Sequence, residues 1–357
     1  MSEQLRAIIG DNSIRVESQS TSFTIPKTAN QTAVSPFGIL NDDRIEKDAV
    51  YDFSSISRDN TWIVLRAIWA ATNREYLAIE KPSDEKYAYI VQSGLGFDSP
   101  SDSAVVILSR ESFWQGAGAS VENHWLKATT AVDFSPVSAF PQIQSFTKNE
   151  LVATVHPLRP PKPAPGTVFY ERYINVVDQS LSFVHIDGTN TEHFEFYKKW
   201  QNSDRVNVGW REKGPDEKHH QYIKDRLEDK HMMGFIFCWN GKPAGYGELA
   251  WVKEDPINVY CGGMEDYDQG IHLLVGEEEF RGKDRFVATV TSMMHCCFLR
   301  DARTQNVVIE PRVDLGLGPR LKALLPVELN REFEFPHKRA FYYKQRRQRF
   351  FQAASFA

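Results

Sequence analysis

The sequence predicts an α/β protein of two domains, in which a β-rich N-terminal domain precedes a mixed sheet (α+β) with helices on both faces. Three observations predict this. A chain of 357 residues is too long for one ordinary hydrophobic core. Five prolines crowd residues 156–166, and such a segment is stiff and joins sheets poorly. Beyond it, strand and helix patterns alternate. We therefore expect domains at 1–166 and 167–357.

The N-terminal half is rich in strand patterns. Apolar, β-branched runs at 61–69 (TWIVLRAIW) and 104–109 (AVVILS) predict two strands, and residues 18–25 alternate weakly. Residues 113–118 (FWQGAG) predict a strand end in a glycine-rich turn, which lacks the third glycine of a dinucleotide loop. We find no cluster of residues in this half that suggests chemistry.

The second half predicts a longer series of elements. A helix opens at the capping-box spacing of Thr189 and Glu192, and Asn240–Gly241 predicts a hairpin turn. The remaining patterns predict strands at 181–186, 234–239, 245–252, 270–275 and 305–310, helices at 216–229 and 286–299, and a last hairpin of 332–335 with 340–343. This order predicts a mixed sheet with helices on both faces.

Composition excludes several classes of function. The balance of 41% hydrophobic and 25% charged residues is that of a globular protein, and a net charge of −5 argues against a nucleic-acid partner. The cysteines Cys238, Cys261, Cys296 and Cys297 have no spacing typical of a disulfide framework or a zinc site, which favours a reducing compartment and no metal.

The sequence shows none of the common targeting signals. The N-terminal residues lack a secretory pattern, no run of 18 apolar residues predicts a membrane span, and Ser355–Ala357 do not form a peroxisomal address. We therefore expect a cytoplasmic protein with no membrane partner.

The segment from Gly270 to Asp314 carries the most chemical information. A strand pattern ends at Gly276, a short polar turn follows, and a long helix begins. The free N–H groups and dipole of such a helix end favour an anion. Arg281, Lys283 and Arg285 add charge, and Gly282 allows close backbone approach. This combination suits a pyrophosphate, although a solvated charged turn has the same composition.

Several motifs then follow in order along the chain. They are 200–206 (WQNSDRV), 243–248 (PAGYGE), Trp251 with 254–257 (EDPI), 267–276 (YDQGIHLLVG), 279–282 (EFRG), 298–304 (FLRDART), 310–314 (EPRVD) and 335–340 (FPHKRA). Together they resemble the siderophore-biosynthesis branch of the GCN5-related N-acetyltransferase (GNAT) superfamily. That branch includes fungal hydroxyornithine transacylases and bacterial aerobactin and mycobactin acyltransferases. The resemblance covers about residues 182–350, and residues 113–118 also look like fungal members with an extra N-terminal domain.

The resemblance implies a GNAT fold in the C-terminal half, preceded by a degenerate copy of it. It implies acyl transfer from acyl-coenzyme A, acetyl or longer, to hydroxylated ornithine or lysine in siderophore biosynthesis, and a homodimer stays open. The residues implied at the coenzyme A site are Leu274, Val275, Arg281, Gly282, Lys283, Asp284, Arg285 and Phe286. Those implied at the acceptor site are Trp200, Asn202, Arg205, Glu248 and Trp251.

Two residues are the predicted catalytic groups. His272 has an unperturbed pKa near working pH, which suits a general base, and Asp314, after the neighbouring strand, would orient its imidazole. The resemblance supports both roles. Backbone N–H groups around 273–275 could donate to the thioester oxygen. The plainer alternatives are a structural histidine, a helix N-cap for Asp314, a salt bridge for Arg205 and core packing for Trp251.

The chain also departs from the family pattern. The loop RGKDRFVA lacks two spaced glycines, Leu315 stands where the family usually has asparagine, and residues 316–319 (GLGP) predict a poor helix. This keeps open a catalytically impaired coenzyme-A-binding protein. An acetyltransferase acting on another amine, such as an aminoglycoside, also stays open. Its pocket should be acidic to hold a polycation, and the acidic residues available are Glu248, Glu254, Asp255, Glu265, Asp266 and Asp268.

Overall fold

The structure, a computed structural model, describes residues 5–18, 20–28, 49–99, 102–127 and 144–356. The chain divides between His124 and Trp125 into two compact units, and the short segments Ile174–Val176 and Ser355–Ala357 group with the first unit. This division lies before the boundary that the sequence predicts at residue 166. A search of the described residues finds no helix with the length and hydropathy of a membrane span.

The first unit is built on a seven-stranded sheet in the order β1-β2-β3-β4-β5-β7-β6. Its elements are β1 (Arg6–Ile9), β2 (Ser13–Glu17), β3 (Ser22–Thr28), β4 (Val50–Tyr51), α1 (Arg58–Ala71), β5 (Tyr76–Glu80), α2 (Asp84–Gln92), β6 (Gly96–Asp98), β7 (Val105–Ser109) and α3 (Arg110–Trp114). The predicted strand at 104–109 is confirmed as β7.

The predicted strand at 61–69 is wrong, because these residues form most of helix α1. Ser57 caps the helix by accepting from the Asn60 N–H at 3.3 Å. Trp62, Leu65 and Trp69 are buried at spacings of three and four residues, which is one face of a helix. Residues 113–118 likewise begin inside a short helix, α3, rather than at a strand end.

The second unit contains an eight-stranded sheet in the order β10-β11-β12-β13-β14-β15-β17-β16, beside a two-stranded hairpin of β8 and β9. Its elements are β8 (Gln144–Lys148), β9 (Ala153–Pro157), β10 (Val168–Ile174), β11 (Gln179–His185), α4 (Thr191–Asn202), α5 (Asp204–Trp210), α6 (Asp216–Glu228), β12 (Met232–Trp239), β13 (Lys242–Trp251), α7 (Pro256–Cys261), β14 (Gln269–Val275), α8 (Lys283–Arg300), β15 (Asn306–Ile309), α9 (Leu317–Leu324), β16 (Glu328–Phe335), β17 (Lys338–Arg346) and α10 (Arg347–Ala353).

Apart from the extra strand β10, the two sheets share one strand order, with β11–β17 following the order of β1–β7. In each set of seven, the fourth and fifth strands pair in parallel across a helix (β4 with β5, β14 with β15), and the last two strands swap order at the edge. The first two strands differ: β1 and β2 form a direct hairpin, whereas α4, α5 and α6 separate β11 from β12. This agrees with the predicted degenerate copy, which lacks the helices between its first two strands.

Strands β14 and β15 separate after a short contact. β14 pairs with β13 along its whole length, but it pairs with β15 only at Gln269↔Val307 and Gly270↔Val308. We call the gap between residues 271–275 and the end of β15 the β14–β15 fork. The Gly276 N–H donates to the Ala244 carbonyl at 2.8 Å, so even-numbered residues of β14 bond to β13. The backbone groups of Leu273 and Val275 therefore turn toward the fork.

The proline-rich segment packs within the second unit and does not separate two domains. Arg159 donates from Nε and Nη2 to both Glu254 carboxylate oxygens at 2.7 and 2.5 Å, and its guanidinium lies 4.6 Å from the Trp251 ring centre. Lys162 donates to the Arg226 carbonyl at 2.6 Å, at the end of α6. The prolines keep the segment extended while its cations anchor it along the sheet.

Breaking the buried Arg159–Glu254 pair should destabilise the protein. Both side chains are almost fully buried, so Arg159→Met leaves the Glu254 carboxylate buried without its two-pronged cation, at a cost of about 3–5 kcal/mol. The free energy of unfolding from urea titration measures this cost. Arg339→Met is the matched control, because its pair with Glu332 is exposed and worth less than about 1 kcal/mol. Equal losses in both variants would contradict the anchoring role.

The predicted poor helix at 316–319 is wrong, because α9 begins within it. Gly316 joins the preceding turn to α9 with φ 62°, a conformation that favours glycine. A Cβ on Gly318 would lie 2.4 Å from the Phe341 ring, so glycine permits close packing there. Pro319 falls in the first turn, where its missing N–H costs no helical hydrogen bond.

Candidate active site

His272 lies at the centre of a polar cluster on β14. Its Nδ1 lies 2.9 Å from Glu248 Oε2 on the adjacent strand β13, and its Nε2 lies 2.8 Å from Glu310 Oε1, just after β15. The Lys338 ammonium bonds the other Glu310 oxygen. The His272 side chain is 35% exposed, whereas Glu248 is 2% exposed. We call Glu248, His272 and Glu310 the histidine cluster.

Helices α5 and α6 cover one side of this cluster. Tyr222 on α6 and Tyr246 on β13 both donate to Glu248 Oε1, at 2.6 and 3.0 Å. Trp210 on α5 meets the His272 ring edge-on with centroids 6.3 Å apart, and its Nε1 donates to the Leu273 carbonyl at 3.4 Å. The helices therefore hold both the carboxylate and the imidazole in place.

The two glutamates determine the charge of His272. Burial by itself would lower its pKa, but the hydrogen bonds and charges of Glu248 and Glu310 outweigh this and raise the pKa to about 10. Burial raises the pKa of Glu310, yet His272 and Lys338 bring it well below its usual range. His272 is therefore protonated at neutral pH. The sequence instead predicts an imidazole that titrates near neutrality, because it does not show these partners.

Asp314 does not hold the position that the sequence predicts for it. It accepts from Arg312 Nε and Nη2 at 2.9 and 2.6 Å, and its side chain is 62% exposed. In the described part of the chain, Glu248 and Glu310 are the carboxylates that bond His272. Glu310 directly follows β15, which ends at Ile309, whereas Asp314 lies further along the chain, in the short 3-10 helix Val313–Leu315.

Trp200, a predicted acceptor residue, is buried in the core of the helix layer. Its Nε1 donates to Glu277 Oε1 at 2.8 Å. A Cβ on Gly276 would lie 2.4 Å from its ring, so the ring packs directly on the backbone that follows β14. Trp200 therefore supports the turn after β14.

Asn202 and Arg205 also hold backbone. The Asn202 side-chain oxygen accepts from the Gly214 N–H at 2.9 Å. Arg205 donates to the Gly276 carbonyl at 2.8 Å and pairs with Glu278 at 2.5 Å. The Asn202 amide and the Arg205 guanidinium, which the sequence predicts to bind the acceptor, are therefore already bonded within the protein.

Trp251 lies away from His272. It pairs with Gln269 in the β13–β14 ladder, whereas Glu248 pairs with His272. Its ring is buried, and the guanidinium groups of Arg159 and Arg300 lie 4.6 and 5.4 Å from the ring centre. Of the five predicted acceptor residues, Glu248 is the one that the structure brings to His272.

The end of α8 has the open geometry expected of an anion site. Gly282 provides no capping side chain, and a Cβ there would meet nothing within 4 Å. The first helical hydrogen bond runs from the Phe286 N–H to the Gly282 carbonyl at 3.0 Å, which leaves the N–H groups of residues 283–285 outside the helical pattern.

Charged side chains surround this helix end. Lys283 and Asp284 are exposed, Arg281 pairs with Glu278 at 2.5 Å, and Arg285 donates to Gln179 at 3.0 Å. Residues 281–286, predicted to bind coenzyme A, therefore lie together at the start of α8. Val275, also predicted, is the last residue of β14. The Leu274 side chain packs in the core, so only its backbone could face a ligand.

Comparison with known proteins identifies the family. Residues 189–316 match the model of the acetyltransferase (GNAT) domain. The chain is 50% identical to acyltransferase ato1 of Omphalotus olearius, over 98% of this chain and 92% of that protein. The chain belongs to the GNAT acyltransferase family.

Two further relatives extend the comparison. Acyltransferase fer5 of Mycosarcoma maydis is 46% identical, over 88% of this chain and 76% of that protein. The N(5)-hydroxyornithine:cis-anhydromevalonyl coenzyme A-N(5)-transacylase SIDF of Beauveria bassiana is 35% identical, over 68% of this chain and 57% of that protein. This GNAT acyltransferase therefore has relatives in the siderophore branch that the motifs predict.

Several residues of the site in this GNAT acyltransferase are absent from the sequence-based prediction. Glu310 is the last residue of a predicted strand, which was the available signal for a side chain at the sheet edge. Lys338 falls in the turn of the predicted hairpin of 332–335 with 340–343, and the sequence gives no sign that it pairs with Glu310. Tyr222 and Trp210 carry no motif that assigns them a role, and α5 was not predicted.

Proposed function

We propose that this GNAT acyltransferase transfers an acyl group from acyl-coenzyme A to the hydroxylated side-chain nitrogen of ornithine or lysine and forms a hydroxamate. Acetyl is the proposed acyl group. The observation that carries the proposal is His272, held between Glu248 and Glu310 on the strand that borders the β14–β15 fork. The name of the Beauveria bassiana relative supports the acceptor class.

The start of α8 fits the pyrophosphate of coenzyme A. The N–H groups of residues 283–285 and the helix dipole favour phosphate oxygens, and Arg281, Lys283 and Arg285 add positive charge. The thioester would reach the fork, where the N–H groups of Leu273 and Val275 turn away from β13. Such fixed donors stabilise the negative charge that develops on a carbonyl oxygen.

The histidine cluster can carry a proton between two carboxylates. A hydroxylated amine is much less basic than an amine, so its nitrogen arrives neutral with a free lone pair. As the C–N bond forms, this nitrogen loses a proton to the cluster, and as the C–S bond breaks, the sulfur gains one from it. The cluster ends with the same number of protons, and the products are a hydroxamate and a thiol.

Glu310→Gln should move the alkaline limit of activity to lower pH. In the wild type, His272 stays protonated up to a pKa of about 10. Removing one of the two carboxylate charges lowers that pKa, so we expect the alkaline limb of kcat/KM to shift down by about one pH unit or more. A series of rates from pH 6 to 11 measures the shift.

Glu332→Gln provides the control for this pH profile, because Glu332 pairs with Arg339 at an exposed site on the adjacent hairpin. It should leave the limb in place. A rate that instead rises through the same pH range would mean that neutral His272 acts as the base.

The alternative of a polycationic aminoglycoside acceptor needs an open acidic pocket. Three of its six candidate wall residues are instead paired in separate places. Glu254 binds Arg159, Asp255 lies 3.3 Å from His231, and Glu248 belongs to the histidine cluster. The alternative of an impaired binding protein depended on residues 315–319, and α9 forms there regardless. Neither alternative gains support.

A free-thiol assay with a small matrix of substrates tests the proposal. Acetyl-coenzyme A and a longer acyl-coenzyme A are combined with N5-hydroxyornithine, N6-hydroxylysine, ornithine and kanamycin. We expect the two hydroxylated amino acids to support thiol release and the other two acceptors to support none. Thiol release with kanamycin but with neither hydroxylated amino acid would overturn the acceptor class. Coenzyme A binding without thiol release from any acceptor would favour the binding protein.

A further inference from the structure

We propose that Arg211, together with Arg312, binds the carboxylate of the acceptor and so restricts this enzyme to hydroxylated amino acids. The inference rests on the proposed function, because it identifies a second anchoring point for the same acceptor. Arg211 is assigned no role by the sequence motifs, which point to Arg205 instead.

Arg211 is connected to the histidine cluster from two sides. It directly follows Trp210, whose ring meets the His272 ring. Its Nη1 donates to the His337 carbonyl at 3.3 Å, and the next residue, Lys338, bonds Glu310. Arg211 is thus the sequence neighbour of Trp210, and its guanidinium bonds the sequence neighbour of Lys338. Because both Trp210 and Lys338 contact the cluster, we place the Arg211 guanidinium at the rim of the site.

Positive charge is concentrated at this rim. After burial, the charges of Lys338, Arg312 and Arg211 are the causes that lower the pKa of His337, against the opposing effect of Glu310. Arg211 forms no ion pair with any carboxylate of the described residues, so its charge remains available. A polycationic acceptor would be repelled here, whereas a carboxylate would be attracted.

Asp314 marks where a carboxylate binds at this rim. Arg312 holds it in a two-pronged pair at 2.9 and 2.6 Å, and the Arg211 charge further lowers the pKa of this carboxyl after that of Arg312. Because the Asp314 side chain is 62% exposed, its ion pair contributes little stability. The carboxylate of an acceptor can therefore replace or join Asp314 at the Arg312 guanidinium, where the charge of Arg211 also acts.

The backbone at Arg211 is consistent with a functional side chain. Arg211 closes α5 at φ 60° and ψ 33° in the left-handed region, and its N–H donates to the Asn207 carbonyl at 3.0 Å. Glycine and asparagine adopt this conformation more readily than arginine does. By contrast, Arg205 is already engaged by Gly276 and Glu278, so it fits the role less well.

The test compares two acceptors that differ by the carboxylate. N5-hydroxyornithine and its decarboxylated analogue, N-hydroxy-1,4-diaminobutane, are assayed with wild-type protein and with Arg211→Asn, a neutral variant that tolerates the left-handed backbone. We expect the ratio of kcat/KM between the two acceptors to fall about 10- to 100-fold in the variant, mainly through KM. Arg211→Lys, which keeps the charge, should retain an intermediate ratio.

Arg339→Asn provides the matched control, because Arg339 is an exposed arginine on the adjacent strand β17. It should leave the acceptor ratio as in the wild type. An unchanged ratio in Arg211→Asn overturns the inference. If the wild type acylates neither acceptor, the proposed function fails, and calorimetry of hydroxyornithine binding to wild type and Arg211→Asn then decides the inference separately: equal affinities overturn it.

Discussion

His272→Gln is expected to lower kcat by about 10²-fold or more, the usual scale for losing an acid–base group, while affinity for coenzyme A stays close to that of the wild type. The glutamine amide NH2 can still donate to a carboxylate of the cluster, but glutamine cannot carry a proton between Glu248 and Glu310. Thiol release at saturating substrates measures kcat, and calorimetry with coenzyme A measures binding.

The chain offers a matched control for this variant. His231 also lies between two carboxylates, Asp229 at 2.7 Å and Asp255 at 3.3 Å, and its pKa is raised to about 9. It lies just before β12, outside the histidine cluster. His231→Gln should keep wild-type turnover. If both variants lose turnover equally, or if His272→Gln keeps it, the catalytic role of His272 is wrong.

Gly282→Asp should weaken coenzyme A binding by about 10- to 100-fold, the scale of a lost or reversed charge-assisted contact. The new carboxylate would stand at the start of α8 and bond to the N–H groups that the pyrophosphate needs. It would also repel the phosphates. Calorimetry with coenzyme A gives the dissociation constant, and the KM of the acceptor should change far less.

Gly282→Ala separates charge from backbone strain in this experiment. Gly282 has φ 133°, so both variants strain the backbone, but only aspartate adds a negative charge. We expect alanine to lower the affinity less than aspartate does. Equal affinities in the two variants would mean that the start of α8 does not bind the pyrophosphate.

The elements around the site could largely be predicted from sequence. Strands β11 to β15 follow apolar runs, and the Asn240–Gly241 turn has positive φ at both residues, as the hairpin signal requires. Helix α1 could not be recognised, because a short run of apolar and β-branched residues fits a strand and a buried helix equally well. Ser57, a residue type typical of helix N-caps, was the signal that could have identified this run as a helix.

The site was predictable only in part, because its contacts join distant parts of the chain. Glu248 and Glu310 are 24 and 38 residues from His272, and the sequence gives no measure of how strongly they raise its pKa. The choice between Glu310 and Asp314 depends on where β15 ends. Similarly, the direction in which Trp200 and Arg205 point depends on how α4 and α5 pack over β14.

The most direct test of the proposed chemistry is the stoichiometry of thiol to hydroxamate. Wild-type protein is mixed with acetyl-coenzyme A and N5-hydroxyornithine, free thiol is titrated, and the hydroxamate is measured by its iron(III) colour and its mass. The account predicts equal amounts of both products in the wild type and a matching loss of both in His272→Gln. Thiol released without hydroxamate, or both products formed at the wild-type rate in His272→Gln, would contradict it.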